Sequence, residues 1–180
     1  MESYAGFAGS GMNVGIDYLH SRGGFFGLSA SAGYAILNFD GKAYRSEYER
    51  ILNDPGEVTV TAGNYQILKG VVGLTGKFPE FYHTEIFLIV QAGYALSIHP
   101  EIIVNHSQMG IINSVGQVHD WTGISNLGMK INYNISEKYG VNFNYCLNFL
   151  YPGFQDEGYI SLFSLPERFA NINIGLIINL

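Results

Sequence analysis

A chain of 180 residues suits one domain, and a net charge of −6 with a pI near 5.2 excludes nucleic acid as a partner, which needs a basic footprint. Hydrophobic residues make up 47% and charged residues only 13%, so the surface has little charge to offer water. No apolar run is long enough for a membrane helix, the single Cys146 excludes an internal disulfide framework, and abundant Gly, Tyr and Phe favour strands and turns.

The opening stretch, MESYAGFAGSGM, lacks the basic start and apolar centre of a secretory signal, so export would depend on something upstream. Residues 1–11 read as the remnant of an outer loop or an N-terminal extension of a single 1–180 domain. Met12 to His20 then alternates, with Met12, Val14, Ile16 and Tyr18 on one face and Asn13, Gly15 and Asp17 on the other, which predicts a strand. Ser21 to Gly24 is a short turn. Phe25 to Phe39 resumes the alternation, setting Phe26, Leu28, Ala30, Ala32, Tyr34 and Ile36 against Ser29, Ser31 and Gly33.

From Asp40 to about Asn64 the pattern lapses into a charged connection that reads as a long loop, with Val58 and Val60 prolonging the next strand. Tyr65 to Phe78 and Thr84 to Ile98 form the next predicted hairpin, turning at Pro79 to His83. A second long connection, His99 to about His119, is less polar. Trp121 to Ile135 and Val141 to Tyr151 follow, joined by a short turn at Ser136 to Gly140, and Pro152 to Arg168 is a third long loop. The last strand, Phe169 to Leu180, has Ala170, Ile172, Ile174, Leu176, Ile178 and Leu180 on one face and Asn171, Asn173, Gly175 and Asn179 on the other. Only Ile177 breaks it.

Connections that alternate short and long predict an all-β, antiparallel up-and-down barrel of about eight strands, seven of them visible. The echo of Ala32 to Ile36 (AGYAI) in Ala92 to Leu96 (AGYAL) fits a repeated hairpin. Seven strands would leave the termini on opposite sides, so a first strand is expected upstream, or else Tyr159 to Leu165 or the first ten residues supply the eighth.

The polar faces carry few ionised groups, with Asp17, Lys69, Glu85 and Lys130 well inside, which suits a narrow filled lumen with an internal charge network better than a solvated exterior. The apolar faces sort their rings to both ends. Tyr18, Phe26, Phe78, Tyr133 and Phe143 fall at the short-turn end, and Tyr34, Tyr94, Trp121, Phe149 and Tyr151 at the long-loop end, around an aliphatic band. Aromatic girdles of this kind are what a bilayer selects, so the apolar faces are expected to meet lipid and the barrel to be transmembrane.

On this pattern the chain resembles the small bacterial outer-membrane β-barrels, OmpA-like in build, and particularly the Asn- and Tyr-rich barrels of Bacteroidota, over about residues 11 to 180. The resemblance implies a Gram-negative outer-membrane location, surrounding outer-membrane lipid, and recognition of the closing strand by the barrel-assembly machinery. Leu180 stands where such strands usually end in an aromatic residue.

The resemblance admits lipid-modifying hydrolases, but the residues argue for a non-enzymatic role. His99, His106, His119 and Asp120 lie near one connection without a recognised ligand spacing, so neither a metal nor another cofactor is expected. Ser97 and His99 share a face, with no paired acid evident. The leading expectation is a structural or surface-interaction barrel whose loop residues Tyr44, Tyr48, Ile102, Ile103, Phe154, Tyr159 and Phe163 offer contact area for an extracellular ligand or partner. The alternatives are a porin-like narrow pore for small solutes and a soluble, lipocalin-like ligand-binding barrel.

Overall fold

The computed structural model of the chain describes residues 8–20, 24–52, 57–151 and 167–179. Seven strands form one antiparallel, nearly closed barrel sheet, as the alternation predicts. They are β1 (Ala8–His20), β2 (Phe26–Phe39), β4 (Tyr65–Lys77), β5 (Thr84–His99), β8 (Val118–Asn134), β9 (Tyr139–Tyr151) and β10 (Glu167–Ile178), neighbours in that order. β3 (Val58–Ala62), β6 (Ile102–His106) and β7 (Gly110–Val115) form a second sheet, and α1 (Gly41–Leu52) is the one helix among the described residues. β1 starts at Ala8 rather than Met12, and β8 at Val118 rather than Trp121. Tyr159 to Leu165 lies outside the described residues.

The chain divides into two compact units. The first holds Met1–Met12, Tyr34–Ile67 and Leu96–Asp120, and here the structure departs from the sequence reading, because both long connections contain helix or strand. Asp40 caps α1, its Oδ1 accepting from the Ala43 amide at 3.0 Å, which satisfies a donor that the first helical turn leaves unpaired. Arg45 pairs with Glu49 one turn on at 2.7 Å, and Arg50 pairs with Glu47. The charges that read as loop are therefore a helix's solvent face. Its other face carries Tyr44 and Tyr48, four residues apart, with Leu52 a turn beyond, and packs with Val58, Ile102 and Val104 into a small core of its own.

Val58 and Val60 belong to β3, not to the following strand, and pair with His106 and Val104 of β6. β6 turns through Ser107 to Met109 into β7, where Gly110 holds a φ of 75° that a side chain would make costly. Asn113 Nδ2 donates to the Tyr48 hydroxyl. Tyr44 and Ile102 are thus buried in this unit rather than offered to a partner, because both pack into its core with Val58 and Val104. Phe154 and Phe163 lie outside the described residues.

The second unit holds Asn13–Gly33, Leu68–Ala95 and Trp121–Leu180. β9 pairs with both β8 and β10 along nearly its whole length, so three side chains stand side by side in each row. The outward rows are Leu127, Leu147 and Ala170; Met129, Tyr145 and Ile172; Ile131, Phe143 and Ile174; and Tyr133, Val141 and Leu176. Ile172, Ile174 and Leu176 point away from the barrel interior, Leu176 being 85% exposed. β1 and β10 are the two ends of the strand order, and in an antiparallel sheet of seven they run the same way. Having one neighbour each, they carry the most exposed outward side chains, such as Met12, Ile16, Ile174 and Leu176.

The β4–β5 connection is tight. Phe81 and Thr84 exchange backbone hydrogen bonds of 3.1 and 2.9 Å around Tyr82 and His83, whose φ angles of 44° and 61° match a type I′ hairpin turn. Within this hairpin Gly73 allows close approach, since a Cβ there would stand 2.0 Å from the Val90 carbonyl oxygen.

Candidate functional site

The inward face of the second unit is where the polar groups converge. The period of two that turns Leu127, Met129 and Ile131 outward turns Asn126, Gly128, Lys130 and Asn132 inward. Across β8, β9 and β10 the inward rows read Asn126, Asn148 and Phe169; Gly128, Cys146 and Asn171; Lys130, Asn144 and Asn173; and Asn132, Asn142 and Gly175. This wall is made chiefly of amides.

The opposite wall is different. On β4 and β5 the inward positions include Val71, Phe87, Ile89 and Ala95, all buried, among the polar residues Gln91 and Thr75. The sequence reading gave that face Lys69, Lys77, Glu85 and Gln91 among Gly73, Thr75, Gly93 and Ser97, and no apolar residue. β4 and β5 thus carry apolar residues on both faces, because outward Leu68, Val72, Leu88 and Val90 alternate with an inward set in which Val71, Phe87, Ile89 and Ala95 are buried.

Three polar links join strands that are not neighbours in the sheet. Gln91 on β5 donates to Ser29 Oγ at 3.1 Å and Ser31 Oγ at 3.0 Å on β2, while its Oε1 accepts from Asn126 Nδ2 of the adjacent β8 at 3.4 Å. Lys130 on β8 donates to Asp17 Oδ2 on β1 at 2.9 Å. Lys69 on β4 donates to Asn148 Oδ1 on β9 at 2.6 Å and lies 6.0 Å from the centre of the Phe169 ring on β10. Asn148 in turn donates to the carbonyls of Cys146 and Phe169, both at 3.3 Å.

Of the four charges expected to form one network, Asp17 and Lys130 meet, Glu85 pairs with Lys77 instead, and Lys69 has an amide oxygen as its partner. Lys77 and Glu85 lie eight residues apart across the β4–β5 hairpin, a proximity the strand register supplies. The role of Gln91 was not visible in the sequence. A glutamine facing two serines on a strand two places away is legible only once the barrel curves.

The ten girdle residues point outward. Tyr18, Phe26, Phe78, Tyr94, Trp121, Tyr133, Phe143 and Tyr151 are exposed, while Tyr34 and Phe149 are half-buried. Tyr34 donates to Gln66 Oε1 at 2.7 Å, and the Arg168 guanidinium lies 6.0 Å from the centre of the Phe149 ring. Tyr145 stands in the middle of the band, between Met129 and Ile172, so the aliphatic zone is not free of rings.

Chemistry at the long connections is sparse. His99 Nε2 lies 3.6 Å from Asp120 Oδ2, with Tyr65 edge-on to the imidazole, so His99 does have a neighbouring acid. Ser97 Oγ is buried without a hydrogen bond, and no nucleophile–base contact is formed. Among the described residues no three His, Cys, Asp or Glu side chains converge on a point where a metal could sit.

Compared with family models, with curated proteins and with solved structures, the chain matches none, and it stands on its fold alone as an all-β antiparallel barrel.

Proposed function

We propose that the chain is an integral outer-membrane β-barrel protein of non-enzymatic, structural or surface-interaction role, of the OmpA-like build that its sequence resembles. The observation that carries this is the outward face of β8, β9 and β10. Four successive rows there hold no charged side chain, and Ile172, Ile174 and Leu176 are 65%, 83% and 85% exposed. Soluble proteins rarely leave so continuous an apolar surface in water. Transferring about ten such aliphatic side chains to hydrocarbon contributes on the order of 10–20 kcal/mol, comparable to or larger than the roughly 5–15 kcal/mol that holds a typical domain folded. Lipid is therefore the better solvent for this face.

The inward links support a filled interior over an open conduit. Gln91, Lys130 and Lys69 each reach a strand that is not their neighbour, and a barrel tied in this way has its lumen occupied by its own side chains. The surface-interaction part of the role falls to the ordered connections. Met109 and Ile111, 57% and 66% exposed at the β6–β7 turn, present apolar contact area outside the small core.

Fractionation of cells expressing the full chain tests the reading. The protein is expected in the outer-membrane fraction, resistant to carbonate extraction and released by detergent. A monomer freely soluble without detergent would overturn it in favour of a soluble binding barrel. In planar bilayers the expected outcome is no single-channel step, and a reproducible conductance would replace the structural role with a narrow pore.

A further inference from the structure

We propose that Arg168, together with the Ser125 and Tyr151 hydroxyls, binds the phosphate of a lipid headgroup at the long-loop end of the outward face. This site rests on the lipid-facing reading above. Beyond the uncharged row of Leu127, Leu147 and Ala170 comes the row Ser125, Phe149 and Arg168, three side chains set abreast by the strand register. The alternation makes Arg168 the one Lys, Arg, Asp or Glu on the outward faces of β8, β9 and β10, and it is exposed.

Its position along β10 is the one a headgroup requires. Arg168 precedes Ile178 by ten places on the strand. At a rise of roughly 3.3 Å per residue and a strand tilt of about 40°, that is about 25 Å of barrel height, the height of a lipid-facing band. A cation at this edge meets the phosphates that border the hydrocarbon. The other end of the face closes on Tyr139 and Ile178, and the turn beyond carries Glu137 beside Lys138, whose charges offset one another. The face therefore has one cationic end.

The groups around Arg168 suit a phosphate. Its guanidinium lies 6.0 Å from the centre of the Phe149 ring, and a ring attracts the cation without supplying the oxygen acceptors that its five N–H donors take. Ser125 flanks Phe149 from the other side, about 10 Å from Arg168 at the backbone, a span that a phosphate over the ring bridges. The Ser125 and Tyr151 hydroxyls stand 3.0 Å apart and share one hydrogen bond, so whichever accepts it keeps its own hydrogen for a further acceptor. The planar fork of the arginine matches two phosphate oxygens and leaves a third to that hydroxyl. The acyl chains of the same lipid then run over Ala170, Ile172 and Ile174.

The test uses the full chain with its single tryptophan moved, W121F/I172W, which sets an indole four residues from Arg168 within the apolar band. The protein is reconstituted in vesicles of digalactosyldiacylglycerol, a lipid without phosphate, holding a minor fraction of acyl-brominated phosphatidic acid or acyl-brominated digalactosyldiacylglycerol. Bromine quenching of the indole reads which lipid sits there. A chain of net charge −6 repels anionic lipid as a whole, so a preference for phosphatidic acid has a local origin. The expected enrichment is about fivefold, the effect of one interfacial cation. R168Q removes it, R168K retains part of it, and K42Q, which deletes a lysine on α1, leaves it unchanged. Equal quenching by the two brominated lipids, or a preference that survives R168Q, overturns the site while the lipid-facing reading stands; no quenching by either overturns that reading and the site with it. Excess inorganic phosphate is expected to leave the preference intact, and its loss would replace the headgroup with a free anion. Should R168Q fail to insert, S125A/Y151F decides: a reduced preference supports the site, and an unchanged one overturns it.

Discussion

Lys130 Nζ donates to Asp17 Oδ2 at 2.9 Å, holding the edge strand β1 to β8 from the inside. The two partners are unequally buried, the lysine side chain 5% exposed and the aspartate 32%. Asp17→Asn therefore strands a buried ammonium and is expected to cost about 2–4 kcal/mol, whereas Lys130→Met leaves a carboxylate that water can still reach and costs less. Denaturant unfolding of the two single variants and the double variant measures this. A double variant as damaged as the sum of the singles would show that the pair does not couple the strands.

Gln91 satisfies Ser29, Ser31 and Asn126 together. Gln91→Ala removes the hub and leaves Ser29 and Asn126, both nearly inaccessible, short of partners. The expected loss is about 2–3 kcal/mol in the same unfolding measurement, and replacing Ser31 alone should cost less, since it is only half-buried.

Tyr82 and His83 adopt left-handed φ angles of 44° and 61°, a conformation that costs an ordinary side chain roughly 1–2 kcal/mol. Tyr82→Asn with His83→Gly supplies the residues this turn type prefers, and should raise stability by about 1 kcal/mol, read as a higher melting midpoint. Gly110→Ala, at a φ of 75°, should act in the opposite sense by a similar amount.

The Arg50 guanidinium beside Glu47 on α1 holds its carboxyl below the ordinary carboxylate value. A depressed carboxylate contributes stability that is fully present above its unfolded value and is lost as the pH falls through the lower folded one. Helix α1 should therefore lose amide protection below roughly pH 4, and Glu47→Gln should flatten that part of the profile. Hydrogen exchange as a function of pH reads both.

The strands of the barrel were legible because alternation survives in single sequences: Ile172, Ile174 and Leu176 declare one face whatever lies beyond it. Helix α1 was not, because Lys42, Arg45, Glu47, Glu49 and Arg50 crowd the same dozen residues and mask the spacing of Tyr44 and Tyr48. Its cap, Asp40 with Ala43, was the available signal. Inward partnerships were the least legible. Lys69 meets Asn148 over a separation of 79 residues, and Lys130 meets Asp17 over 113, distances set by closure of the sheet and not by local pattern.

The wall that β8, β9 and β10 turn inward is built largely of groups that never ionise. Seven of the twelve places in the four inward rows from Asn126 to Gly175 are filled by Asn126, Asn148, Asn171, Asn144, Asn173, Asn132 and Asn142. Amides hold hydrogen-bonding capacity without a protonation state, so in these rows only Lys130 and Cys146 carry a group that acid or alkali could switch. An interior lined in this way keeps the same electrical character while the surroundings change, and confines any response to acidity to the few lysines and carboxylates set among the amides.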